Sequence, residues 1–295
     1  DNLEKALRLC NILEYFGEHP LLSESLVLKG GTAINLMVFD LPRLSVDIDL
    51  DFAIPCNRER MLAMRGEINR EIITYMSTQG YTLSPGTKNP HSLDSWVFYY
   101  RNVVNNKDNI KIEVNYSLRN HIFPLVMRNT TVNFLPQVKI QVLSPVELFG
   151  SKIKALIERS ATRDLYDVHE MLTMKIFDEQ DFEMLRKTVL FYLAVGGSKK
   201  LEENYSFENI KKLKFSQIRS SLLPVLRKNE RFDFENAKEE IIDFLQSLLI
   251  FTNDEKTFIR EFNNNHYYPE LLFDDPLILE RIKHHPMAVW KTKNK

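Results

Sequence analysis

The fold is decided by residues 26–52, which read LVLKGGTAINLMVFDLPRLSVDIDLDF. Strand-forming residues stop at Gly30 and Gly31, and the residues from Thr32 onward continue with helical spacing. Adjacent glycines let the backbone adopt a positive φ and approach a ligand closely. A helix that begins there presents free amide groups to a phosphate. The first half of the stretch therefore predicts a strand, a glycine turn and a short helix, with Gly30, Gly31 and Thr32 holding phosphate groups.

The second half of the stretch predicts a strand that carries three aspartates. Strict alternation places Asp47, Asp49 and Asp51 on one face and apolar residues on the other. Carboxylates on one face repel each other, and a divalent cation relieves this repulsion. Magnesium is typically held by one or two carboxylates together with the phosphates of a substrate. A glycine pair is often only a turn, and an alternating acidic strand is often only solvated. The two together and in this order predict a nucleotide site that depends on Mg²⁺ or Mn²⁺.

The motifs KGGTAINL and RLSVDIDLDF resemble those of the nucleotidyltransferase toxins of the AbiEii/AbiGii type. These are the toxin halves of bacterial type IV toxin–antitoxin, or abortive infection, systems, and they belong to the DNA polymerase β-like nucleotidyltransferases. The family motif is a glycine pair or Gly-Ser, a short helix and two acidic residues one apart, which Gly30, Gly31, Asp47 and Asp49 match. The resemblance implies an NTP as substrate, a tRNA or other nucleic acid 3′ end as acceptor, toxicity to the host cell and a cognate antitoxin.

Composition narrows the class of protein. The chain has 295 residues, 44% of them hydrophobic, which predicts a soluble globular protein with a sizeable core and two lobes. The net charge of −1 provides no overall basic field, so any RNA has to be held by a local groove. Cys10 and Cys56 lack metal-ligand spacing and suit a reducing cytosol. No apolar run approaches the ~20 residues of a membrane span, so we expect a cytoplasmic protein with no membrane partner.

Two further stretches before residue 143 bear on the site. The runs Trp96–Arg101 and Ile110–Tyr116 predict a hairpin in the same sheet. Polymerase β-like enzymes usually take a third metal-site carboxylate from a neighbouring strand, and the resemblance makes Glu113 the candidate for this catalytic and metal-binding role. Its alternative role is an ordinary ion-pair partner for Lys111 or another lysine. Arg43 precedes the acidic strand and either pairs with an aspartate or contacts the triphosphate. The family often has an arginine there, which favours nucleotide binding.

A strong helix start follows at Ser144-Pro145-Val146-Glu147, where a capping pattern coincides with proline in the first turn. If the helix is continuous, Lys152, Arg159 and Arg163 lie near one line on its surface. A break at Ser160-Ala161-Thr162, with Thr162 as the cap of a second helix, is equally consistent with the sequence.

This segment, ELFGSKIKALIERSATRDLYDVHEML, carries the second part of the resemblance. Family members have a lysine, an arginine and an RDxxD-like run here, matched by Lys152, Arg159, Arg163, Asp164 and Asp167. The resemblance implies that Lys152, Arg159 and Arg163 bind the nucleotide and that Lys152 and Asp164 act in catalysis. A lysine can bind phosphates as a point charge, and Lys154 is a rival for that role. Either aspartate can orient an arginine or act as a base. The alternative is a solvated charged helix.

The remainder of the chain, from Asp181 onward, predicts helices. Gly196-Gly197-Ser198-Lys199-Lys200 resembles a phosphate loop, but it lacks the upstream glycine and follows a helix pattern, so it predicts a linker. A basic run between Lys211 and Arg231 is either a solvated face or a nucleic-acid groove.

We therefore expect an α+β protein. A polymerase β-like nucleotidyltransferase lobe with a small mixed sheet should occupy residues 1–143, and a mostly helical lobe residues 144–295, with the site in the cleft between them. The predicted function is Mg-dependent transfer of a nucleoside monophosphate to an RNA 3′ hydroxyl by a toxin. The alternatives are NTP-dependent nucleotidylation or kinase-like modification of a protein hydroxyl, and an inactive nucleotidyltransferase-fold binding module.

Overall fold

The computed structural model describes residues 2–85, 87 and 92–293. These residues divide into two compact units, one up to Leu143 and one from Ser144 onward. All described strands belong to the first unit, and the described elements of the second are helices. Within the described residues, no helix is both long enough and apolar enough to cross a membrane.

The first unit is built around a mixed sheet. Its described strands are β1 (Leu26–Lys29), β2 (Asp47–Phe52), β3 (Thr82–Leu83), β4 (Leu93–Arg101), β5 (Lys107–Asn115), β6 (Val126–Asn129) and β7 (Lys139–Val142). They lie in the order β3-β4-β5-β2-β1-β7-β6. Strand β2 is antiparallel to β1 and parallel to β5, so the acidic strand lies between these two. Strands β4 and β5 form the predicted hairpin and extend beyond the runs that predicted it.

The described helices of the first unit precede or connect its first three strands along the sequence. They are α1 (Asn2–Glu18), α2 (Pro20–Ser25), α3 (Gly30–Met37) and α4 (Arg58–Thr78). Helix α4 begins at the Asn57 cap, whose side chain accepts from the Arg60 amide, and it ends before Gly80, which has a φ of +80°. Glycine at this position closes a helix without the steric cost that a side chain would impose.

Alternation along β2 and β5 produces one apolar and one polar face. Ile48, Leu50, Ile112 and Val114 are fully buried, and they form the core layer beneath the two strands. Because successive side chains on a strand point to opposite faces, the acidic residues between them are directed to the other face of the sheet. Burial of the apolar face therefore fixes which carboxylates share the polar one.

The second unit consists of helices and short 3₁₀ turns in its described residues. The helices are α5 (Pro145–Arg159), α6 (Thr162–Thr173), α7 (Phe182–Gly196), α8 (Glu208–Lys211), α9 (Phe215–Ser221), α10 (Phe234–Leu248), α11 (Asn253–Asn263), α12 (Pro276–Ile282) and α13 (Pro286–Lys293). Helices α5 and α7 pack closely at Gly150, where a β-carbon would lie 3.1 Å from the β-carbon of Thr188. This arrangement and the mixed sheet of the first unit confirm the predicted fold class.

The chain breaks between α5 and α6. Ser160 adopts a left-handed conformation with a φ of +47°, which ends α5. Of the two sequence alternatives the break is therefore the one observed, but the prediction that Thr162 caps α6 is wrong, because Ala161 occupies the cap position. The Thr162 hydroxyl instead lies 2.6 Å from the hydroxyl of Ser221. Lys152 and Arg163 consequently lie on different helices.

Candidate active site

The acidic face of β2 carries two half-buried aspartates and one buried aspartate. Asp47 and Asp49 are partly exposed, whereas Asp51 is buried. In the parallel pairing with β5, Asp49 lies opposite Glu113 and Asp47 lies opposite Lys111. Side chains at paired positions share a face and lie close together. The predicted carboxylates Asp47, Asp49 and Glu113 are therefore neighbours on one sheet face.

Lys111 lies within this acidic group. Its ammonium lies 2.8 Å from a carboxylate oxygen of Glu113. Burial alone would lower the pKa of Lys111, but the hydrogen bond to Glu113 and the negative charges of Glu113, Asp47 and Asp49 raise that pKa above its ordinary value. The lysine is therefore held protonated by all three carboxylates. Glu113 has the lysine partner that sequence analysis considered as its alternative role, and its metal role stays a prediction.

A second lysine, which the sequence analysis did not identify, neutralises the third aspartate. Lys29 is the last residue of β1, and its ammonium lies 2.5 Å from a carboxylate oxygen of the buried Asp51. Four carboxylates and two ammonium groups thus share this face, which leaves an excess of negative charge available to a cation. Nothing in the sequence signals Lys29, because its partner lies on another strand.

Gly30 brings the start of α3 against Asp49. Its φ of +69° is in the left-handed region, where a β-carbon is disfavoured. A β-carbon at Gly30 would lie 2.9 Å from the Asp49 β-carbon and nearer still to one carboxylate oxygen. Glycine is therefore required here for two separate reasons, backbone conformation and space. The predicted glycine turn and the acidic strand are in direct contact.

The next glycine is close to two side chains of the loop before β2. A β-carbon at Gly31 would lie 2.9 Å from both the Arg43 guanidinium and the Ser45 hydroxyl. Arg43 is only 2% exposed and donates to the carbonyl of Leu44 at 3.2 Å. It supports the loop here, and its predicted triphosphate contact stays a prediction. The sequence analysis did not identify Ser45, although it lies two residues before Asp47 and so continues the alternation of the acidic face.

Thr32 ties the start of α3 to the acidic strand. Its side chain is buried, and its hydroxyl donates to the backbone carbonyl of Asp47. The hydroxyl is therefore used within the protein. Since the first amides of a helix have no partner within that helix, a phosphate contact by Thr32 would be made through its backbone amide.

The second predicted group lies in the helical unit and is an ion-pair network. The Lys152 ammonium lies 2.9 Å from Asp164 and 3.1 Å from Asp167. The Arg159 guanidinium approaches both oxygens of Asp164, at 2.6 and 3.0 Å. Lys152 is only 8% exposed and both aspartates are buried. The network therefore pairs two cations with two anions across the break between α5 and α6.

This network determines the charge of Asp164. Burial alone would raise the pKa of the Asp164 carboxyl, but the positive charges of Lys152 and Arg159 and their hydrogen bonds lower that pKa below its ordinary value. Asp164 is therefore ionised at neutral pH. The Arg159 side chain is 64% exposed, so it can pair with Asp164 and still contact a ligand.

The other residues predicted in this segment have separate partners. Arg163 donates to the backbone carbonyl of Ser221 at 2.9 Å. Lys154 lies 2.7 Å from Glu158 and donates to the Gly196 carbonyl at 2.9 Å. Lys152 and Lys154 thus face different surroundings, and only Lys152 joins Asp164 and Asp167. The nucleotide-binding roles predicted for Lys152, Arg159 and Arg163 stay predictions.

Among the residues that the structure describes, no group of three or more His, Cys, Asp or Glu is arranged to hold a metal ion. The donor chemistry of Asp47 and Asp49 suits Mg²⁺, which needs only one or two carboxylates when substrate phosphates complete its shell. Glu113 would have to exchange its contact with Lys111 to become a third ligand.

The mixed sheet, the glycine-led helix and the acidic strand form an arrangement that suits a nucleotidyltransferase. The family model described as "Nucleotidyl transferase AbiEii toxin, Type IV TA system" matches residues 12–259, which include both candidate groups. The chain therefore belongs to this family of nucleotidyltransferase toxins, as the sequence motifs predicted. Membership implies an NTP substrate and an antitoxin partner.

A solved structure shares the fold of this chain. The chain is similar to MenT4, nucleotidyltransferase toxin Rv2826c from Mycobacterium tuberculosis H37Rv, with a TM-score of 0.62 and 15% identity over 88% of this chain and 87% of that one. The E. coli MS115-1 CdnC:HORMA-deltaN complex also aligns, over 98% of this chain and 90% of that one, but with 13% identity and a TM-score of only 0.25. No curated protein matches the chain.

Proposed function

We propose that this toxin transfers a nucleoside monophosphate from an NTP to the 3′ hydroxyl of an RNA, with tRNA as the acceptor class. The observation that carries the proposal is the contact between Gly30 and Asp49, which joins a phosphate-binding helix start to the carboxylates of β2. A triphosphate bound at α3 would lie beside the aspartates that are proposed to bind its divalent cations. An ordinary turn would not require a glycine at that contact.

Asp47 and Asp49 are the proposed ligands of Mg²⁺ or Mn²⁺. Both are partly exposed and share a sheet face with an excess of negative charge. A divalent ion held by these carboxylates would supply positive charge that stabilises the charge developing on the phosphate oxygens. Glu113 is the proposed third carboxylate, available once Lys111 releases it.

The protein's own groups perform the remaining tasks. The first amides of α3, at Gly30, Gly31 and Thr32, bind the triphosphate. The buried Arg43 and Ser45 side chains lie close beside Gly31 and leave no room for a side chain there. Glu113 accepts the proton of the acceptor hydroxyl while the hydroxyl oxygen forms a bond to the α-phosphorus. The bond between the α-phosphorus and the bridging oxygen breaks, and pyrophosphate leaves.

In the helical unit, Arg159 is the proposed phosphate contact, because it is exposed while Asp164 orients it. Lys152 is proposed to act by holding Asp164 and Asp167 in place, in addition to the phosphate role that the resemblance implies. Ionised Asp164 keeps the guanidinium plane fixed through its two hydrogen bonds.

The test is to incubate the protein with each labelled NTP, Mg²⁺ and total cellular RNA. We expect label on RNA from at least one NTP, and we expect its loss in excess chelator and in Asp49→Asn. Glu67→Gln, which changes an exposed carboxylate on α4, is the matched control and should be fully active. Label on protein alone, or full labelling by Asp49→Asn, would overturn the proposal.

A further inference from the structure

The segment Gly196-Gly197-Ser198-Lys199-Lys200-Leu201, called the GGSKKL segment below, follows directly from α7. Its backbone is fixed at both ends. The Lys291 ammonium donates to the carbonyl of Ala194 at 2.7 Å and to that of Gly197. The Asn263 side chain donates to the Leu201 carbonyl at 2.9 Å and accepts from its amide at 3.0 Å. The segment is therefore pre-organised, although the sequence predicts only a linker.

The segment contributes to the walls of two cavities, and Lys199, Lys200 and Leu201 line both of them. The smaller, of about 170 Å³, has three glutamates in its wall, Glu158, Glu202 and Glu208. The larger, of about 250 Å³, is lined by Lys199, Lys200, Lys291, Phe262 and Trp290, and its described lining contains no carboxylate. In the first cavity the three glutamates offset the charge of the two lysines, whereas the second has these lysines and no carboxylate in its described lining, so the second is the one that favours an anion. The larger cavity is below the ~300–1,000 Å³ that encloses a drug-sized ligand, so it suits part of a larger one.

Positive charge in the larger cavity is available to a ligand. Lys199 and Lys200 are exposed, and neither forms an ion pair with a carboxylate of the described residues. The carbonyl end of α7 would repel a phosphate through the helix dipole. Two other lysines cover that end, since Lys291 binds the carbonyl of Ala194 and Lys154 binds the carbonyl of Gly196. The dipole therefore does not cancel the charge of Lys199 and Lys200.

The wall of the same cavity includes an exposed indole. Trp290 on α13 is 57% exposed, although large aromatic side chains are normally buried for most of their surface. Proteins bind single-stranded nucleic acid by stacking bases on aromatic side chains while lysines contact the adjoining phosphates. The cavity presents both parts side by side.

We propose that this cavity is a subsite for single-stranded RNA, with a base stacked on Trp290 and adjoining phosphates on Lys199 and Lys200. The proposal deepens the proposed function, because it rests on RNA being the acceptor and says where the helical unit holds it. A protein partner of acidic character could also meet the two lysines. The exposed indole in the wall of the cavity favours a flat base over a peptide.

Tryptophan fluorescence gives a direct test. The chain has two tryptophans, and the other, Trp96, is buried in β4, so Trp290 is the one that a ligand can reach. The full-length protein is titrated, without NTP, with a single-stranded RNA of roughly 10 nucleotides, the length range of one binding module. We expect the Trp290 emission to be quenched, and we expect a duplex of the same sequence to quench far less.

Substitutions separate the two contributions. Trp290→Ala should weaken RNA binding by about 5- to 100-fold, the effect of one lost stacking contact. Lys199→Ala with Lys200→Ala should lower the salt dependence of binding by about 1.4 slope units, at ~0.7 for each lost phosphate contact. Lys199→Arg with Lys200→Arg should retain binding. The matched control is Lys175→Ala with Lys283→Ala, which removes two exposed lysines of the helical unit that lie outside the basic run and should change little. Unchanged thermal melting shows that each variant is folded.

The outcomes distinguish this subsite from the proposed function. The subsite is overturned if RNA does not quench Trp290, or if Lys199→Ala with Lys200→Ala binds RNA as well as the wild-type protein does. If the protein still transfers a nucleotide to RNA, the proposed function stands. Quenching by a polyglutamate peptide but not by RNA also overturns the subsite, in favour of a protein partner. If the quenching and the variant effects are as expected but the protein transfers nothing to RNA, the subsite is supported and the proposed function fails.

Discussion

The α-carbon of Gly30 lies against the side chain of Asp49, so that a β-carbon on the glycine would lie 2.9 Å from the β-carbon of the aspartate. This contact joins the two halves of the candidate active site within one unit of the protein. It depends on the left-handed backbone at Gly30, which allows β1 to turn into α3 without a side chain between them. The position of the Asp49 carboxylate is therefore coupled to the start of the helix.

Gly30→Ala should damage the site more than the fold. The left-handed conformation of an alanine costs about 1–2 kcal/mol, and its β-carbon would displace Asp49. We expect at least tenfold weaker Mn²⁺ or NTP binding, measured by calorimetry. Gly66→Ala on α4 is the control, because a β-carbon there meets nothing within 4 Å. It should raise stability by about 1 kcal/mol and leave binding unchanged. Equal binding by both variants would show that the Gly30 contact does not support the site.

Lys111→Gln should increase the affinity for a divalent cation. The lysine neutralises the carboxylates that we assign to the metal, and its partly exposed pair with Glu113 limits the effect to about fivefold, or roughly 1 kcal/mol. Titration with Mn²⁺, following the free ion by electron paramagnetic resonance, measures this change. Lys107→Gln at the start of β5, whose ammonium lies over the Tyr99 ring, should have no effect. Weaker Mn²⁺ binding by Lys111→Gln would mean that the lysine helps to assemble the metal site.

Lys152→Ala should destabilise the helical unit. It would leave Asp164 and Asp167 buried with one cation fewer, and breaking a buried ion pair from one side costs about 3–5 kcal/mol. Lys154→Ala removes a more exposed lysine and should cost at most about 1 kcal/mol. Denaturant unfolding measures both values. Similar losses for the two variants would show that the buried network contributes little to stability.

The same network predicts weakening in acid. The pKa of Asp164 is lowered on folding, so its contribution to stability is present above the ordinary carboxyl pKa of about 3.9 and is lost as the pH falls through the lower folded value. In Asp164→Asn, the free energy of unfolding of the helical unit should therefore fall less steeply as the pH is lowered below about 4. An equally steep fall in this variant would contradict the assignment.

His169 should make stability fall as the pH rises. Glu170 raises the pKa of His169 above its ordinary value, against the lowering effect of burial, and Glu240, 3.2 Å from the ring, adds to the increase. This contribution is fully present below about pH 6.5 and is lost as the pH rises through the folded pKa. We expect Glu240→Gln to reduce the drop in melting temperature between about pH 6 and about pH 8. Glu261→Gln, in the more exposed pair with His266, should leave the profile unchanged, and an equal effect would refute the prediction.

The elements of the candidate site were predictable because their signals are local. The alternating pattern of β2 identified Asp47 and Asp49 as neighbours on one face, and the glycine pair identified the turn into α3. The β4–β5 hairpin was also local, and it placed Glu113 on a strand of the same sheet. The family prediction followed from these short motifs and is confirmed.

The partners of these residues were not predictable, because they depend on strand order and on one backbone conformation. The pairing of Lys29 with Asp51 requires β1 to lie beside β2. The negative charges of the β2 aspartates act on Lys111 only because β5 lies on the other side of β2. In the helical unit, the left-handed Ser160 turns α6 back so that Asp164 reaches Lys152. The sequence allowed either a break or a continuous helix there, and only the break brings these side chains together.

The most direct test of the central claim is the position of the phosphate that reaches the acceptor. The wild-type protein, Asp47→Asn and Asp49→Asn are incubated with RNA, Mg²⁺ and an NTP labelled with radioactive phosphorus at either the α- or the γ-position. We predict that the wild-type protein transfers the α-label to RNA, transfers no γ-label, and releases pyrophosphate, and that both variants lose transfer while keeping the wild-type fold. Transfer of the γ-label, or α-label transfer by Asp49→Asn at the wild-type rate, would contradict the account.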